Sequence, residues 1–235
     1  RAVADAASVT DVAAGSATAV RAPHPNAATA GAKRQENTRM GATTGRPVVI
    51  KLGGAALPHR DAVLRDLTAA RLAGFQPILV HGGGPVITEW LKRIGKQPTF
   101  VDGLRVTDAE TLEVATMALA GKVNKELVAT LNLAGTPAVG LAGADGGWIR
   151  ARRITEPDLG FVGEVVSVDP TPALALIAAG YLPVVAPIAL GDEGLLNINA
   201  DTVAGDIARA VGAALLIFLT DVPGVKDASG KVAAH

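Results

Sequence analysis

The sequence predicts an α/β fold, a three-layer αβα sandwich around a mainly parallel central sheet. Two observations lead to this prediction. From residue 46 onward, short runs of apolar, β-branched residues alternate with longer segments of helical periodicity. Several of these runs also end in glycine-rich turns. Strands separated by helices pair in parallel through right-handed crossovers, and such sheets bind ligands beyond the carboxyl ends of their strands.

Two strand–helix units open this body. The run 48–52 consists of valine, isoleucine and leucine around one lysine, which predicts a short buried strand. In 61–73, the spacing of three leucines matches one face of a helix. The run 77–81 predicts a second strand, and the next helix begins at Pro85, because proline fits the first turn of a helix.

A longer helix is predicted over 108–133. Thr107 would cap its amino end, and Glu110 would complete a capping box. The rest of the chain continues the alternation of strands and helices, interrupted by a polar hairpin. The remaining predicted strands are 138–141, 182–186 and 215–219, the hairpin joins 148–154 to 163–168, and the remaining helices are 174–179 and 200–211.

The composition excludes several classes of function. The 235 residues include 22 basic and 22 acidic side chains, so the formal net charge is zero. This balance argues against a nucleic-acid or membrane-surface partner, since both favour a basic protein or patch. The absence of cysteine excludes disulfides, thiolate catalysis and cysteine-based metal sites. The four histidines show no paired metal-ligand spacing, and no apolar run reaches the roughly 18 residues of a membrane span.

Residues 1–45 are expected to be a disordered or non-native extension, and residues 46–235 a single domain. Positions 1–39 contain no leucine, isoleucine, phenylalanine, tryptophan or tyrosine, so this stretch has too little apolar surface to offset the entropy of ordering. One interpretation is that translation starts at Met40. The alternative is a remnant of an organelle transit segment, against which the acidic residues of the stretch argue.

Three predicted strands end in glycine-rich loops, at 53–54, 82–84 and 221–224. Consecutive glycines allow backbone N–H groups to converge on an anion, and a following helix adds its positive end. The alternative is that these glycines only permit tight turns. Neither a Walker A sequence nor a complete dinucleotide fingerprint is present, because isoleucine occupies position 87, where the third glycine belongs.

Polar side chains occur in three otherwise apolar segments. Lys51 lies within a buried-strand pattern, where an ammonium group needs either an anionic partner or a route to water. Arg105 lies in an apolar loop and suits a substrate carboxylate, with an internal salt bridge as the alternative. Asn197, Asn199 and Asp201 open an apolar helix, where they form either the polar floor of a site or a helix cap.

In order and spacing, these segments resemble the acetylglutamate kinases of the amino-acid kinase family over roughly residues 46 to 235. The glycine turns alone match the wider family, whereas the GLRVT, GKVNK and NINAD segments match acetylglutamate kinases in particular. The matching segments are IKLGG (50–54), VHGGGP (80–85), FVDGLRVTD (100–108), LAGKVNKELV (119–128), GLAGADGG (140–147), GYLPVVAPI (180–188), NINAD (197–201) and LTDVPGV (219–225).

The resemblance implies transfer of the ATP γ-phosphoryl group to the side-chain carboxylate of N-acetyl-L-glutamate, the second step of arginine biosynthesis, with ATP and Mg²⁺ as cofactors. A carboxylate is already a nucleophile, so no general base is needed, and catalysis would consist of positioning and charge neutralisation. Two alternatives stay open. One is a kinase for a related amino-dicarboxylate, and the other is a non-catalytic, amino-acid-binding regulatory domain of the same fold.

The resemblance also implies roles for individual residues. Lys51 would stabilise the transferring phosphoryl group, and Asp201 would orient the catalytic lysines. Arg105 would pair with the substrate α-carboxylate. The set that binds phosphate or substrate would be Gly53, Gly54, Gly82, Gly83, Arg105, Asn197 and Asn199, and the nucleotide-binding set would be Asp221, Gly224 and Lys226.

The family pattern continues past the DVPGV turn, through a further helical segment, to a turn that carries a second active-site lysine. We therefore expect 46–235 to be a C-terminally incomplete domain, either a fragment or a compromised kinase. The resemblance further implies a homodimer or higher homo-oligomer. It implies a cytoplasmic location, or a plastid location if the amino-terminal segment is a transit remnant.

Overall fold

The computed structural model describes residues 45, 47–54 and 60–219. A π-helical segment, Met117–Val123, joins two of its helices. The strands are β1 (Pro47–Leu52), β2 (Gln76–His81), β3 (Phe100–Val101), β4 (Leu104–Arg105), β5 (Ala138–Ala142), β6 (Ile149–Arg153), β7 (Val162–Val168), β8 (Leu182–Ala186), β9 (Ile188–Leu190), β10 (Leu195–Ile198) and β11 (Leu215–Leu219). The α-helices are α1 (Arg60–Leu72), α2 (Gly84–Arg93), α3 (Ala109–Thr116), α4 (Asn124–Leu133), α5 (Thr171–Ala178) and α6 (Ala200–Ala210), and Asp145–Gly147 forms a short 3₁₀ turn.

Five strands form the central sheet, in the order β11–β1–β2–β8–β5. All neighbouring strands in this sheet run parallel. The predicted α/β architecture is therefore confirmed, and each strand predicted for the sheet occurs at nearly the predicted bounds. The carboxyl ends of β1, β2 and β11 lie side by side, because Leu52 pairs with both His81 and Leu219.

Helices cover both faces of the central sheet, as the alternating pattern of β1 shows. Val48 and Ile50 pack in a buried cluster with residues of α1 and α4, whereas Val49 packs on the other side with residues of α6. Successive residues of a strand point to opposite faces. Lys51 therefore shares a face with Val49 and is directed towards α6.

A smaller, closed arrangement of four strands, β10–β7–β6–β9, lies beyond the central sheet. The predicted hairpin is confirmed, since β6 and β7 pair antiparallel, with Ile149 opposite Val168 and Arg153 opposite Gly163. The sequence did not predict β9, β10 or the two-residue strands β3 and β4. These strands are short, and hydrophobic periodicity needs a longer window to become visible.

One continuous helical stretch, formed by α3, the π-helical segment and α4, corresponds to the helix predicted over 108–133. The predicted cap was wrong. The N-cap is Asp108, whose side chain accepts a hydrogen bond from the Thr111 amide at 2.9 Å. The Thr107 hydroxyl instead donates to the carbonyl of Arg105, and Glu110 pairs with Lys96. The helix begins one residue later than predicted, so the capping position moves to the carboxylate.

The expected amino-terminal extension and the carboxyl-terminal limit of the domain lie outside the described residues, which do not include 1–44 or 220–235. Within the described part, none of the helices combines the length and the apolar character required to cross a bilayer.

Candidate active site

Two glycine turns meet at the carboxyl edge of the central sheet. The turn at 53–54 follows β1, and the turn at 82–84 follows β2. The Gly53 amide donates to the Leu219 carbonyl at 2.9 Å, and the Gly82 amide donates to the Leu52 carbonyl at 2.9 Å. These two amides form hydrogen bonds between neighbouring strands. The backbone N–H groups available to a ligand are therefore those further along each turn.

Gly54 lies so close to the start of α2 that a side chain would not fit. A Cβ on Gly54 would lie 2.8 Å from Cδ of Pro85 and 3.3 Å from the amide nitrogens of both Gly83 and Gly84. The amides of a helix amino end therefore converge on the Gly54 backbone. A helix amino end carries partial positive charge, so this arrangement fits an anion site as well as a tight turn.

Lys51 and Asp201 form an ion pair across the edge of the sheet. Lys51 Nζ lies 2.8 Å from Asp201 Oδ1, with the lysine side chain 12% exposed and the aspartate side chain 54% exposed. Of the two alternatives left open for Lys51, the anionic partner is observed, and it is Asp201. Asn199 takes the capping alternative, because its Oδ1 accepts from the amides of Asp201 and Thr202 at the start of α6.

Arg105 is buried at the amino end of α2. Its Nη2 donates to the Gly84 carbonyl at 2.9 Å and to Thr88 Oγ1 at 2.8 Å, and its guanidinium lies 4.6 Å from the centre of the Phe100 ring. Burial lowers the pKa of Arg105 from its ordinary value. Nη1 is buried, and none of the described residues provides it with a hydrogen-bond partner. The alternative of an internal salt bridge is thus not observed within the described residues.

Asn197 belongs to the same site through Thr107, a residue that the sequence placed only at a helix cap. Asn197 Nδ2 donates to Thr107 Oγ1 at 3.2 Å, and that hydroxyl donates to the Arg105 carbonyl at 2.7 Å. Thr107 is fully buried. Its position directly after Gly-Leu-Arg-Val was the available sequence indication of a link to the arginine.

The structure therefore brings together Lys51, Asp201, both glycine turns, Arg105 and Asn197, although they come from distant parts of the sequence. Asp221, Gly224 and Lys226 lie outside the described residues. Across the described ranges, no group of three or more histidine, aspartate or glutamate side chains is placed to hold a metal ion. The arrangement presents cationic and N–H donors to an anionic ligand.

A family model described as the amino acid kinase family matches residues 46–235, which include every residue of this site. The chain belongs to the amino acid kinase family. The glycine turns, the Lys51–Asp201 pair and the buried arginine all lie within the matched domain.

Curated proteins named acetylglutamate kinase resemble this family member closely. The protein of Thermosynechococcus vestitus is 50% identical over 188 residues, covering 78% of this chain and 64% of the relative. The protein of Acaryochloris marina is 48% identical over 196 residues, covering 80% of this chain and 69% of the relative. The chain thus spans about two thirds of the length of the curated relatives that it matches.

Solved structures share the fold. The smu.665 protein of Streptococcus mutans UA159 superposes with a TM-score of 0.71 at 30% sequence identity, covering 77% of this chain and 75% of that one. An N-acetylglutamate synthase from Neisseria gonorrhoeae, complexed with coenzyme A and N-acetyl-glutamate, gives a TM-score of 0.69 at 23% identity, over 87% of this chain and 48% of that one. The second likeness concerns the fold alone.

Proposed function

We propose that the protein is an acetylglutamate kinase, which transfers the γ-phosphoryl group of MgATP to the side-chain carboxylate of N-acetyl-L-glutamate in arginine biosynthesis. One observation carries the proposal. The buried guanidinium of Arg105 lies beside the second glycine turn, and its Nη1 has no partner among the described residues, which supports a site that takes an acidic substrate next to a phosphate. The names of the relatives at about 50% identity support the same activity.

The reaction needs no proton transfer. One oxygen of the substrate carboxylate bonds to the γ-phosphorus, the bond from phosphorus to the bridging oxygen breaks, and ADP leaves with that electron pair. Negative charge spreads over the transferring phosphoryl oxygens, and donors fixed in advance stabilise it. We assign this stabilisation to the Lys51 ammonium and to the backbone N–H groups near Gly54 and Gly83.

Asp201 would keep the Lys51 ammonium in place while phosphate is absent. Its ion pair with Lys51 is 2.8 Å long, and the partner lysine is largely buried, which limits the rotamers open to the ammonium group. Mg²⁺ would arrive as part of the nucleotide substrate, held by phosphate oxygens, since phosphates with few carboxylates commonly bind this ion.

Arg105 and Asn197 would bind the amino-acid substrate. The Nη1 group carries two N–H donors and suits a planar carboxylate, and a desolvated site strengthens such charge-assisted hydrogen bonds. Gly53 and Gly82 would contribute through backbone geometry, and Asn199 through its cap on α6. The family resemblance alone supports a homo-oligomer, a cytoplasmic or plastid location, and nucleotide contacts at 221–226.

The test is the rate of ATP-dependent hydroxamate formation with N-acetyl-L-glutamate, L-glutamate, N-acetyl-L-aspartate and a longer acetylated amino-dicarboxylate. We expect N-acetyl-L-glutamate to have the highest kcat/KM. Lys51→Met keeps the side-chain length and removes the charge, and it should lower kcat by about 100- to 1,000-fold, as when one stabilising donor of a transition state is lost. Lys122→Met is the matched control, because Lys122 is an exposed lysine paired with Glu126 on the helix surface.

Preference for a different dicarboxylate would instead establish the related-kinase alternative. Binding of N-acetyl-L-glutamate without any phosphoryl transfer would favour the regulatory domain. Equal kcat values in the Lys51 and Lys122 variants would remove Lys51 from the catalytic machinery.

A further inference from the structure

The Gly-Lys-Val-Asn-Lys stretch, residues 121–125, supports the family resemblance but has no role in the site described above. Asn124 begins α4 and is completely buried. Its Nδ2 donates to the Val184 carbonyl at 2.9 Å and lies 3.2 Å from Nε2 of His81. His81 is the last residue of β2, directly before the second glycine turn, and is also completely buried.

The orientation of the Asn124 amide is fixed by its neighbours. Nζ of Lys125 lies 3.0 Å from Asn124 Oδ1 and 3.2 Å from the Gly140 carbonyl. Ammonium groups only donate hydrogen bonds, so the amide oxygen must face Lys125. Its NH₂ group then supplies one hydrogen to Val184 and the other to His81. Gly140 allows this approach, because a Cβ there would lie 1.9 Å from Asn124 Oδ1.

The same logic fixes the tautomer of His81. Because Asn124 donates to Nε2, the hydrogen of the neutral imidazole is on Nδ1, which lies 2.9 Å from the Gly82 carbonyl and donates to it. Burial, with a smaller contribution from the positive charge of Lys125, lowers the pKa of His81 to about 4. A directed chain of hydrogen bonds thus runs from Lys125 through Asn124 and His81 to Gly82.

Because the peptide bond is planar, fixing the Gly82 carbonyl also fixes the direction of the next N–H group in the glycine turn. The Gly82 carbonyl and the Gly83 amide belong to one peptide unit, and in a trans peptide the C=O and N–H groups point in opposite directions. With the carbonyl held inward by His81, the Gly83 N–H points outward. If Gly54 carried a Cβ, that atom would lie 3.3 Å from the Gly83 nitrogen. This is the side of the turn on which we place the phosphate.

We propose that His81 and Asn124 are positioning residues, which hold the Gly82 carbonyl and thereby aim the Gly83 N–H at the transferring phosphoryl group. This inference rests on the proposed function, because the kinase reaction is what places a transferring phosphoryl group beside Gly83. The π-helical segment before Asn124 packs against the same glycine, since a Cβ on Gly83 would lie 2.6 Å from Cδ2 of Leu119 and 3.5 Å from Cγ2 of Val123. One helical stretch therefore contacts this peptide both through side-chain packing and through His81.

Two variants of His81 separate the two ring nitrogens. His81→Asn puts an amide nitrogen near the place of Nδ1 and retains a donor for the Gly82 carbonyl. His81→Gln puts its amide near the place of Nε2 and loses that donor. Asn124→Leu, of similar volume, removes the donor to His81 by a second route. Thr136→Val is the control, because it removes a buried hydroxyl that pairs with Thr68 at 2.7 Å in a different part of the fold.

The readouts are the hydrogen-exchange rate of the Gly83 amide by NMR, the melting temperature, and kcat with the KM for N-acetyl-L-glutamate. We expect faster Gly83 exchange and a 10- to 100-fold loss of kcat, roughly the effect of a misplaced catalytic group, in His81→Gln and Asn124→Leu. The KM should stay unchanged, because Arg105 is untouched. His81→Asn should stay close to the parent in both readouts, and Thr136→Val should lose only thermal stability.

The proposal is overturned if the two His81 variants have equal Gly83 exchange rates, or if both match Thr136→Val in kcat at a similar melting temperature. A failure of the proposed function can be distinguished from a failure of this positioning proposal. If the parent transfers no phosphate to N-acetyl-L-glutamate, that function falls, whereas the exchange rates of Gly83 still decide whether His81 orders this peptide.

Discussion

Acidification is expected to destabilise the fold through His81. The imidazole is completely buried, and desolvation lowers its pKa to about 4 in the folded protein. An unfolded histidine titrates near 6.5. Between these two values the unfolded state binds more protons than the folded state, so the free energy of unfolding falls as the pH falls from about 6.5 towards 4.

The size of this effect follows from the gap between the two pKa values. Each pH unit within the gap costs about 1.4 kcal/mol, so His81 alone should lower the free energy of unfolding by roughly 3 kcal/mol between pH 7 and pH 4. That is a large share of the 5–15 kcal/mol typical of a folded domain. Well above pH 7 the imidazole is neutral in both states and contributes no pH dependence.

Urea unfolding at a series of pH values measures this directly, with the fluorescence of the buried Trp148 as the probe. The same series on His81→Asn removes only this titrating group, so the difference between the two pH profiles isolates it from the carboxylates. We expect the parent to lose about 3 kcal/mol more than the variant between pH 7 and pH 4. Parallel profiles would refute the reasoning and show that His81 is solvated or charged in the folded protein.

Three further substitutions test the site and its supports. Gly54→Ala should abolish most of kcat and also lower the melting temperature, because its methyl group would lie 2.8 Å from Cδ of Pro85 and 3.3 Å from the Gly83 and Gly84 nitrogens; a normal kcat at an unchanged melting temperature would mean that this space is open and holds no phosphate. Arg105→Lys should raise the KM for N-acetyl-L-glutamate about tenfold or more without a matching change in the KM for ATP, since one charge-assisted hydrogen bond contributes roughly 1.5–3 kcal/mol; steady-state kinetics with each substrate varied will decide. Asn199→Ala should cost about 1 kcal/mol of unfolding free energy in urea titrations, because it removes the cap of α6, and an unchanged midpoint would contradict that role.

The central sheet was predictable because its strands appear in the sequence as dense apolar runs, and four of them, β1, β2, β5 and β8, are largely buried. The run around Lys51 illustrates this, since its flanking residues Ile50 and Leu52 are buried. The smaller closed sheet was only half predictable. Its hairpin of β6 and β7 is local in sequence, whereas β10 pairs with β7 over more than thirty positions, and single-sequence patterns carry no information on such pairings.

The candidate site, too, was predictable only in part. The cost of burying an ammonium predicted that Lys51 needs an anionic partner, but the pairing with Asp201 depends on how α6 packs against β1. Nothing in the sequence showed that Nη1 of Arg105 stays unpaired, since that follows from which neighbours surround the guanidinium. The capping role predicted for Thr107 belongs to Asp108. Both residue types cap helices well, and only the position of the helix start distinguishes them.

The two halves of the site belong to two separately hydrogen-bonded sheets. Lys51 extends from β1 of the central sheet, whereas Asn197 lies on β10 and Asp201 opens the helix that follows it. A ligand that contacts both halves would hold the two sheets in this relative position, and a second ligand that needs the same position would then bind more tightly. Thermodynamic linkage makes the gain equal in both directions. In the proposed kinase reaction, nucleotide and amino acid would thus bind with positive cooperativity, since each depends on the same relative position of the two sheets.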